Sequence, residues 1–235
     1  MPTFVGTPTT GTPVTSGTSM TFAHTTVGAA QGLVGGCGLE MSGGGDIDCD
    51  SFAWNGDALT MIEREGGAVL EASLWLMINP DIGSFNAVAG WTIFVGSLVA
   101  AVAGVADVGT LKIDAGVAGA HRTAYIASGT STTPTVTDAD SQSGDLVAAS
   151  ASGASTTIAV GAGQTSQCES DNFGSSGTSW SLSTEAATGA NTVMSYTLGA
   201  SGTWSIVSTA LIDGPAAAAG WGHLIAGQRN RHVMQ

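Results

Sequence analysis

Three aspartates at alternate positions, Asp46, Asp48 and Asp50, have the spacing best suited to holding a cation. They match the first, third and fifth ligand positions of a calcium-binding EF-hand loop, but Ser51 stands where that loop requires glycine. A β-strand explains the alternation more simply, because its period of two directs all three carboxylates to solvent and the residues between them to the core. We expect the strand, with a weak Ca²⁺ site as the alternative.

The cysteines Cys37 and Cys49 lie symmetrically about Gly43, the middle of the turn-like run MSGGGD. If that run closes a hairpin, the two thiols face each other across it. A cross-strand disulfide and a pair of reduced thiols are both compatible with this arrangement. The reduced pair is favoured for a protein made in the cytoplasm.

The remaining candidates for chemistry are weaker. The histidines have no HxxxH or HExxH spacing, and no G-x-S-x-G, P-loop or dinucleotide motif is placed between suitable elements. Glu63 and Glu65 are a carboxylate pair of the kind glycosidases use, but a solvated strand edge explains them more simply. We expect His24 to be a hydrogen-bonded structural residue. The sequence therefore predicts no enzyme, with no catalytic residue, no cofactor and no metal site assigned.

Composition narrows the range of partners. The chain has 235 residues, of which 10% are charged, and its net charge is -13. A surface this acidic repels phosphate backbones and anionic membranes, so we expect neither nucleic acid nor membrane as a partner. Among the six tryptophans, Trp54 beside the Asn55-Gly56 turn is the candidate for an exposed sugar-stacking platform, although a core position is favoured for it too.

The order of elements predicts an all-β fold. From Met20 onwards, short apolar or alternating runs are separated by glycine-rich turns, as in an antiparallel β-sandwich. We expect an extended arm over residues 1–17, a sandwich over 18–214 and a short tail over 215–235, either a helical contact element or a detachable segment. Residues 87–106 carry no charge and are long enough to cross a bilayer, but two buried strands joined at Gly96-Ser97 are favoured. The N-terminus lacks the features of a secretory signal, which predicts synthesis in a host cytoplasm.

The arrangement of these runs resembles the jelly-roll-like β-sandwich of tailed-bacteriophage virion proteins, of the head decoration (cement) or head-fibre type. The matching pieces are GLVGGCGLE (32–40), FAWNGDALTMIE (52–63), LWLMINPDIGSFNAVAG (74–90), AGVADVG (103–109), SGDLVAAS (143–150) and MSYTLGASGTWSIVSTALI (194–212). Its hallmark is an aromatic-Asn-Gly hairpin followed by a strand that ends in Asn-Pro-x-x-Gly. The likeness covers most of residues 20–213.

The resemblance implies a structural protein on the exterior of a capsid. Its partners would be the major capsid protein and copies of itself, with a trimer suggested by capsid threefold positions. As contact residues we expect Arg229, Arg231 and Trp221 in the C-terminal tail. The alternatives are a carbohydrate-binding tail or fibre component and a self-assembling surface filament or adhesin subunit.

Overall fold

Strands are the regular elements of this protein. The computed structural model describes residues 1–42, 45–66, 69–111, 120–174 and 177–212. Every regular element in these residues is a β-strand. The first half contains β1 (Phe4–Thr10), β2 (Ser19–Thr26), β3 (Gly32–Met41), β4 (Asp46–Trp54), β5 (Asp57–Ala58), β6 (Thr60–Gly66), β7 (Leu70–Ile78), β8 (Gly83–Val95) and β9 (Leu98–Val108). The second contains β10 (Tyr125–Ser131), β11 (Thr135–Asp138), β12 (Leu146–Gly153), β13 (Ile158–Val160), β14 (Gln164–Phe173), β15 (Thr178–Ala186), β16 (Thr192–Leu198) and β17 (Gly202–Leu211). The prediction of an all-β antiparallel fold is confirmed.

The first half of the chain forms a jelly roll of two antiparallel sheets. Sheet 1 has the strand order β2-β8-β4-β5, and sheet 2 has the order β1-β9-β3-β7-β6. Apart from the hairpins β4-β5 and β6-β7, consecutive strands alternate between the two sheets. This interleaving is the jelly-roll topology found in viral capsid and lectin domains.

The second half repeats the same topology. Sheet 3 has the order β10-β17-β12-β15-β14, and sheet 4 has the order β11-β16-β13. Each strand of the second half has the same position in its sheet as one strand of the first half. For example, β10 corresponds to β1, β12 to β3 and β17 to β9. The short strand β5 lacks a counterpart among the described residues. The chain is therefore a tandem pair of jelly rolls, where the sequence analysis expected a single sandwich over 18–214.

The four sheets stack in the order 1, 2, 3, 4, with a hydrophobic core in each of the three spaces between them. The first core joins sheets 1 and 2 through side chains that include Phe52, Trp54, Trp75 and Trp91. The second joins sheets 2 and 3, and the third joins sheets 3 and 4. Sheets 2 and 3 are consequently buried on both faces. This explains why β3, β9 and β12 consist almost entirely of buried residues instead of alternating with polar ones.

The contact between the two jelly rolls depends on very small residues. A Cβ added at Gly38 would lie 2.6 Å from the indole of Trp180 and 2.8 Å from the hydroxyl of Ser152, and one added at Gly36 would also meet Trp180. Trp180 is fully buried, and its Nε1 donates a hydrogen bond to the hydroxyl of Ser150 at 2.9 Å. At the margins, β1 contacts β14 and β6 contacts β10. The strand orders of sheets 2 and 3 thus run in opposite directions across the contact.

The N-terminal residues are extended, as expected, and they are part of the body. Strand β1 pairs with β9 from Phe4 opposite Val108 to Thr10 opposite Gly104, with an irregular register in between. It is the edge strand of sheet 2, and its backbone supplies the ladder hydrogen bonds that β9 would otherwise lack on that side. The extended N-terminal segment is therefore paired within its own chain at this edge.

Two turns and the uncharged segment agree with the sequence. Asn55 and Gly56 both have positive φ, 51° and 87°, which fits the tight hairpin between β4 and β5. Residues 87–106 belong to β8 and β9, which are joined at Gly96 with φ of 79°. No helix long and apolar enough to cross a membrane is found in the described part of the chain.

The close approach at Gly38 yields a stability prediction. Gly38→Ala is expected to lower the free energy of unfolding by roughly 1–3 kcal/mol, because the added methyl meets a buried indole that has no room to move. Gly189→Ala is the matched control, since nothing lies within 4 Å of its added Cβ, and its effect should stay within about 0.5 kcal/mol. Equilibrium urea unfolding measures both, and equal effects would contradict the tight contact between sheets 2 and 3.

Candidate functional site

Three consecutive apolar side chains are exposed at one end of the first jelly roll. Ile93, Phe94 and Val95, the last residues of β8, have 39%, 60% and 56% of their surface exposed. We call these three residues the apolar tip. Exposed apolar clusters on a soluble protein mark surfaces that contact other molecules. The apolar tip is therefore a candidate contact surface.

A row of carboxylates lies beside the apolar tip on the neighbouring strand. Asp46, Asp48 and Asp50 point away from the core, whereas the residues between them are buried, as the strand interpretation predicted. Asp48 forms an ion pair with Arg64 at 2.6 Å, and Asp50 accepts a hydrogen bond from the hydroxyl of Thr92. Among the described residues, no three or more His, Cys, Asp or Glu side chains are grouped so as to hold a metal ion.

A buried glutamate lies behind this row, at the bottom of a cleft of about 490 Å³. Burial raises the pKa of Glu71 to about 8, against the opposing effects of the Cys49 N–H, which donates to its carboxylate at 3.0 Å, and of Arg64. The neighbouring carboxyl of Asp48 raises the pKa further. Glu71 is therefore largely protonated at neutral pH. Arg64 is the counter-ion of Asp48.

The thiols of Cys37 and Cys49 are neighbours, but not across a hairpin. Strands β3 and β4 belong to sheets 2 and 1, so the two side chains meet between the layers, where both are fully buried. Both cysteines are free. Their mutual hydrogen bond and their burial raise the pKa of the Cys37 thiol well above its usual value. The expectation that the two thiols are neighbours is confirmed, although they meet between two sheets and not across the hairpin that the sequence suggested.

His24 joins three strands through a buried hydrogen-bonded series. One ring nitrogen lies 2.9 Å from the Thr9 hydroxyl, and the other lies 3.0 Å from the carboxylate of Asp107. The second oxygen of Asp107 accepts the N–H of Val27 at 2.9 Å. Both ring nitrogens and both carboxylate oxygens are thus engaged within the protein, and this series links β1 and β2 to β9. The expected structural role of His24 is confirmed.

Trp54 is not the surface platform considered from the sequence. Only 1% of its surface is exposed, and its ring packs edge-on against His24 and Phe85. Its Nε1 donates to the backbone oxygen of Asp81. Because the jelly roll turns this position inwards, the favoured core assignment is correct. Trp75 and Trp91 are also buried, as expected.

A second cleft, of about 380 Å³, opens where the first jelly roll meets the beginning of the second. Asp57, Asn79 and Asp81 line it from the first half and His121 from the second, over a partly apolar floor. The Asp81 carboxylate accepts a hydrogen bond from the side-chain amide of Asn55 at 2.8 Å. Carboxylates and amides above an apolar surface provide the groups that bind a polyhydroxylated ligand.

The predicted contact residues Arg229, Arg231 and Trp221 lie outside the described residues. Within the described part, the two arginines, Arg64 and Arg122, are ion-paired to Asp48 and Asp145. The apolar tip was not identified from the sequence. Its signal is the run IFV just before the Gly96-Ser97 turn, where an edge of the core would normally turn polar.

Comparison of the chain with known protein families, with curated protein sequences and with solved structures finds no match. The geometry of the molecule is therefore the basis for any statement about its function.

The buried Glu71 predicts a pH-dependent stability. Its pKa is higher in the folded than in the unfolded protein, so the carboxyl's contribution to stability falls as the pH rises from about 4.5 to about 8. Glu71→Gln is expected to be more stable than the parent by on the order of 2–4 kcal/mol at pH 9, with the difference vanishing near pH 4.

Urea unfolding at pH 4, 7 and 9 measures this difference. Glu169→Gln is the matched control, because Glu169 is exposed on β14 and its replacement should leave the pH profile unchanged. A Glu71→Gln variant with the same pH profile as the parent would show that Glu71 is ionised at neutral pH.

Proposed function

We propose that this chain is a non-enzymatic structural protein of a tailed-phage virion, which decorates and stabilises the exterior of the capsid. The observation that carries the proposal is the exposed apolar tip, Ile93–Val95, on an otherwise acidic body. A decoration protein needs one adhesive surface on a soluble, rigid domain. The apolar tip supplies such a surface at one end of the molecule.

The four-layer body supports this role. The body has three stacked cores and an antiparallel ladder in every sheet. Local opening of such a structure is costly in free energy, so the body should resist proteolysis and mechanical force. Jelly rolls also occur widely among capsid proteins. The fold is therefore the one that the resemblance in the sequence implies, although a fold by itself does not identify a binding site.

The partners under this proposal are the major capsid protein and further copies of this chain. The tail over 215–235 carries two arginines and no acidic residue, in contrast to the acidic body. Arg229 and Arg231 are suited to pairing with carboxylates of the capsid protein or of a neighbouring copy, and Trp221 to packing beside them. A trimer fits the threefold positions of a capsid lattice.

Capsid binding by the apolar tip tests the proposal. The purified full chain is first sized by chromatography with light scattering, then mixed with undecorated capsids and sedimented. Phe94→Ser is expected to weaken co-sedimentation by about tenfold or more, because a buried aromatic contact contributes over 1 kcal/mol. Ile126→Ser, at an equally exposed apolar residue of the other jelly roll, is the matched control and should bind like the parent.

The other outcomes are equally informative. A parent chain that stays in the supernatant would refute the capsid role, and long polymers formed by the chain alone would favour the filament alternative. Equal binding by the Phe94→Ser variant would exclude the apolar tip. Unchanged occupancy after deletion of residues 215–235 would exclude the tail.

The cleft lined by Asp57, Asn79, Asp81 and His121 favours one second candidate, a host-binding tail or fibre component that recognises carbohydrate. Here a glycan array is the direct measurement. Binding of a glycan by the parent, its loss in Asp57→Ala and the absence of capsid binding would together favour this function.

A further inference from the structure

The structure contains a buried carboxylate for which the protein supplies no partner. Asp138, the last residue of β11, has none of its surface exposed, and neither of its carboxylate oxygens has a hydrogen-bond partner among the described residues. Buried polar groups are nearly always hydrogen-bonded, because losing water without compensation costs several kcal/mol. A buried carboxylate in this state requires a proton or a cation.

A second carboxylate lies beside it. Asp140 has one buried oxygen without a partner, and its other oxygen accepts the N–H of Thr123 at 3.3 Å. The two carboxyls are close enough for one to raise the pKa of the other: burial first, and then Asp140, raise the pKa of Asp138 to about 7. The side chains of Asp138 and Asp140 are within hydrogen-bonding reach of each other, so one proton or one cation can lie between them.

The charges around this pair do not balance. Asp145 also lies nearby, but Arg122 binds it at 2.5 Å and 3.5 Å, and the backbone N–H of Gln142 donates to it at 2.9 Å. Arg122 is therefore already paired, and it lowers the pKa of Asp138 only as the last of several effects. Tyr125, the remaining titratable neighbour, has its own pKa raised by burial and by both aspartates. With Asp138 and Asp140 ionised, one arginine faces three carboxylates.

The chain around the pair is built as a short loop between two strands. Asp138 ends β11, Asp145 precedes β12, and Gly144 turns the backbone with a φ of 98°. The hydroxyl of Ser141 donates to the backbone oxygen of Asp138 at 3.0 Å, which fixes the loop against the strand. The carboxylates are therefore held in place by the fold.

We propose that Asp138 and Asp140 form a binding site for a divalent cation, specifically Ca²⁺, at the end of the second jelly roll. Calcium takes oxygen ligands in flexible geometry and accepts carboxylates together with water and backbone oxygens. With two carboxylates the affinity falls in the range of extracellular calcium modules, with a Kd of roughly 0.1–1 mM. Near neutral pH the cation displaces the proton that the two carboxyls otherwise share, and that proton passes to the buffer.

Thermal unfolding of the full chain at pH 8.5, in EDTA and in 5 mM CaCl₂, tests the site. The parent is expected to melt about 2–4 °C higher in calcium. Asp138→Asn should abolish the calcium shift, whereas Glu169→Gln, at an exposed carboxylate on β14, should keep it. The shift should also be smaller at pH 5.5, where a proton competes for Asp138.

A second measurement keeps the test decisive if Asp138→Asn folds poorly. Asp140→Asn should weaken binding of Tb³⁺, followed by its luminescence, at least tenfold, and Ca²⁺ should displace Tb³⁺ from the parent. No calcium shift in the parent, or an equal shift in Asp138→Asn, would overturn the proposal and leave a shared proton as the partner of Asp138.

Discussion

The face-to-face contact of sheets 2 and 3 is the constraint on which the rest of this structure depends. It buries the second face of sheets 2 and 3, which a single jelly roll would leave in water, so their strands carry mostly apolar or small residues on both faces. Small residues make the close approach possible, as at Gly36 and Gly38 against Trp180. The serines in the contact are not a defect of the core, because Ser150 accepts from Trp180 and Ser152 donates to the backbone oxygen of Glu71.

The same constraint governs where charge is found. The middle of the stack has no room for hydrated groups, so the buried carboxyls of Glu71 and Asp138 lie at ends of strands, one in each jelly roll. Each lies beside an arginine that is paired with another carboxylate: Arg64 with Asp48, and Arg122 with Asp145. In a chain with five basic residues, the arginines of the described part are thus placed near the buried carboxyls and not on an exposed basic face.

How much of the fold could be predicted from the sequence differs between the core strands and the polar edge strands. Strands such as β3 and β4 lie where apolar or alternating runs between turn glycines predict strands. The strands β1, β10 and β14 were missed, since these edge strands are rich in polar and small residues and owe their pairing to a neighbour. The duplication was missed because it lies in strand order, which side-chain patterns do not record. Asp138 gave no signal, since its burial depends on β16 and β17, which come much later in the chain.

The tandem arrangement has a consequence for how the chain can be divided. All strands of sheets 1 and 2 lie before Leu111, and all strands of sheets 3 and 4 follow Ala120, so one covalent crossing joins two hydrogen-bonded bodies. The β-ladders among the described residues all join strands of the same half, so the halves meet through side-chain contacts and not through shared strand pairing. Separating the halves would therefore expose Trp180 and the buried carboxyl of Glu40, which lies against Gly174 of the second half, without breaking any strand pairing among the described residues.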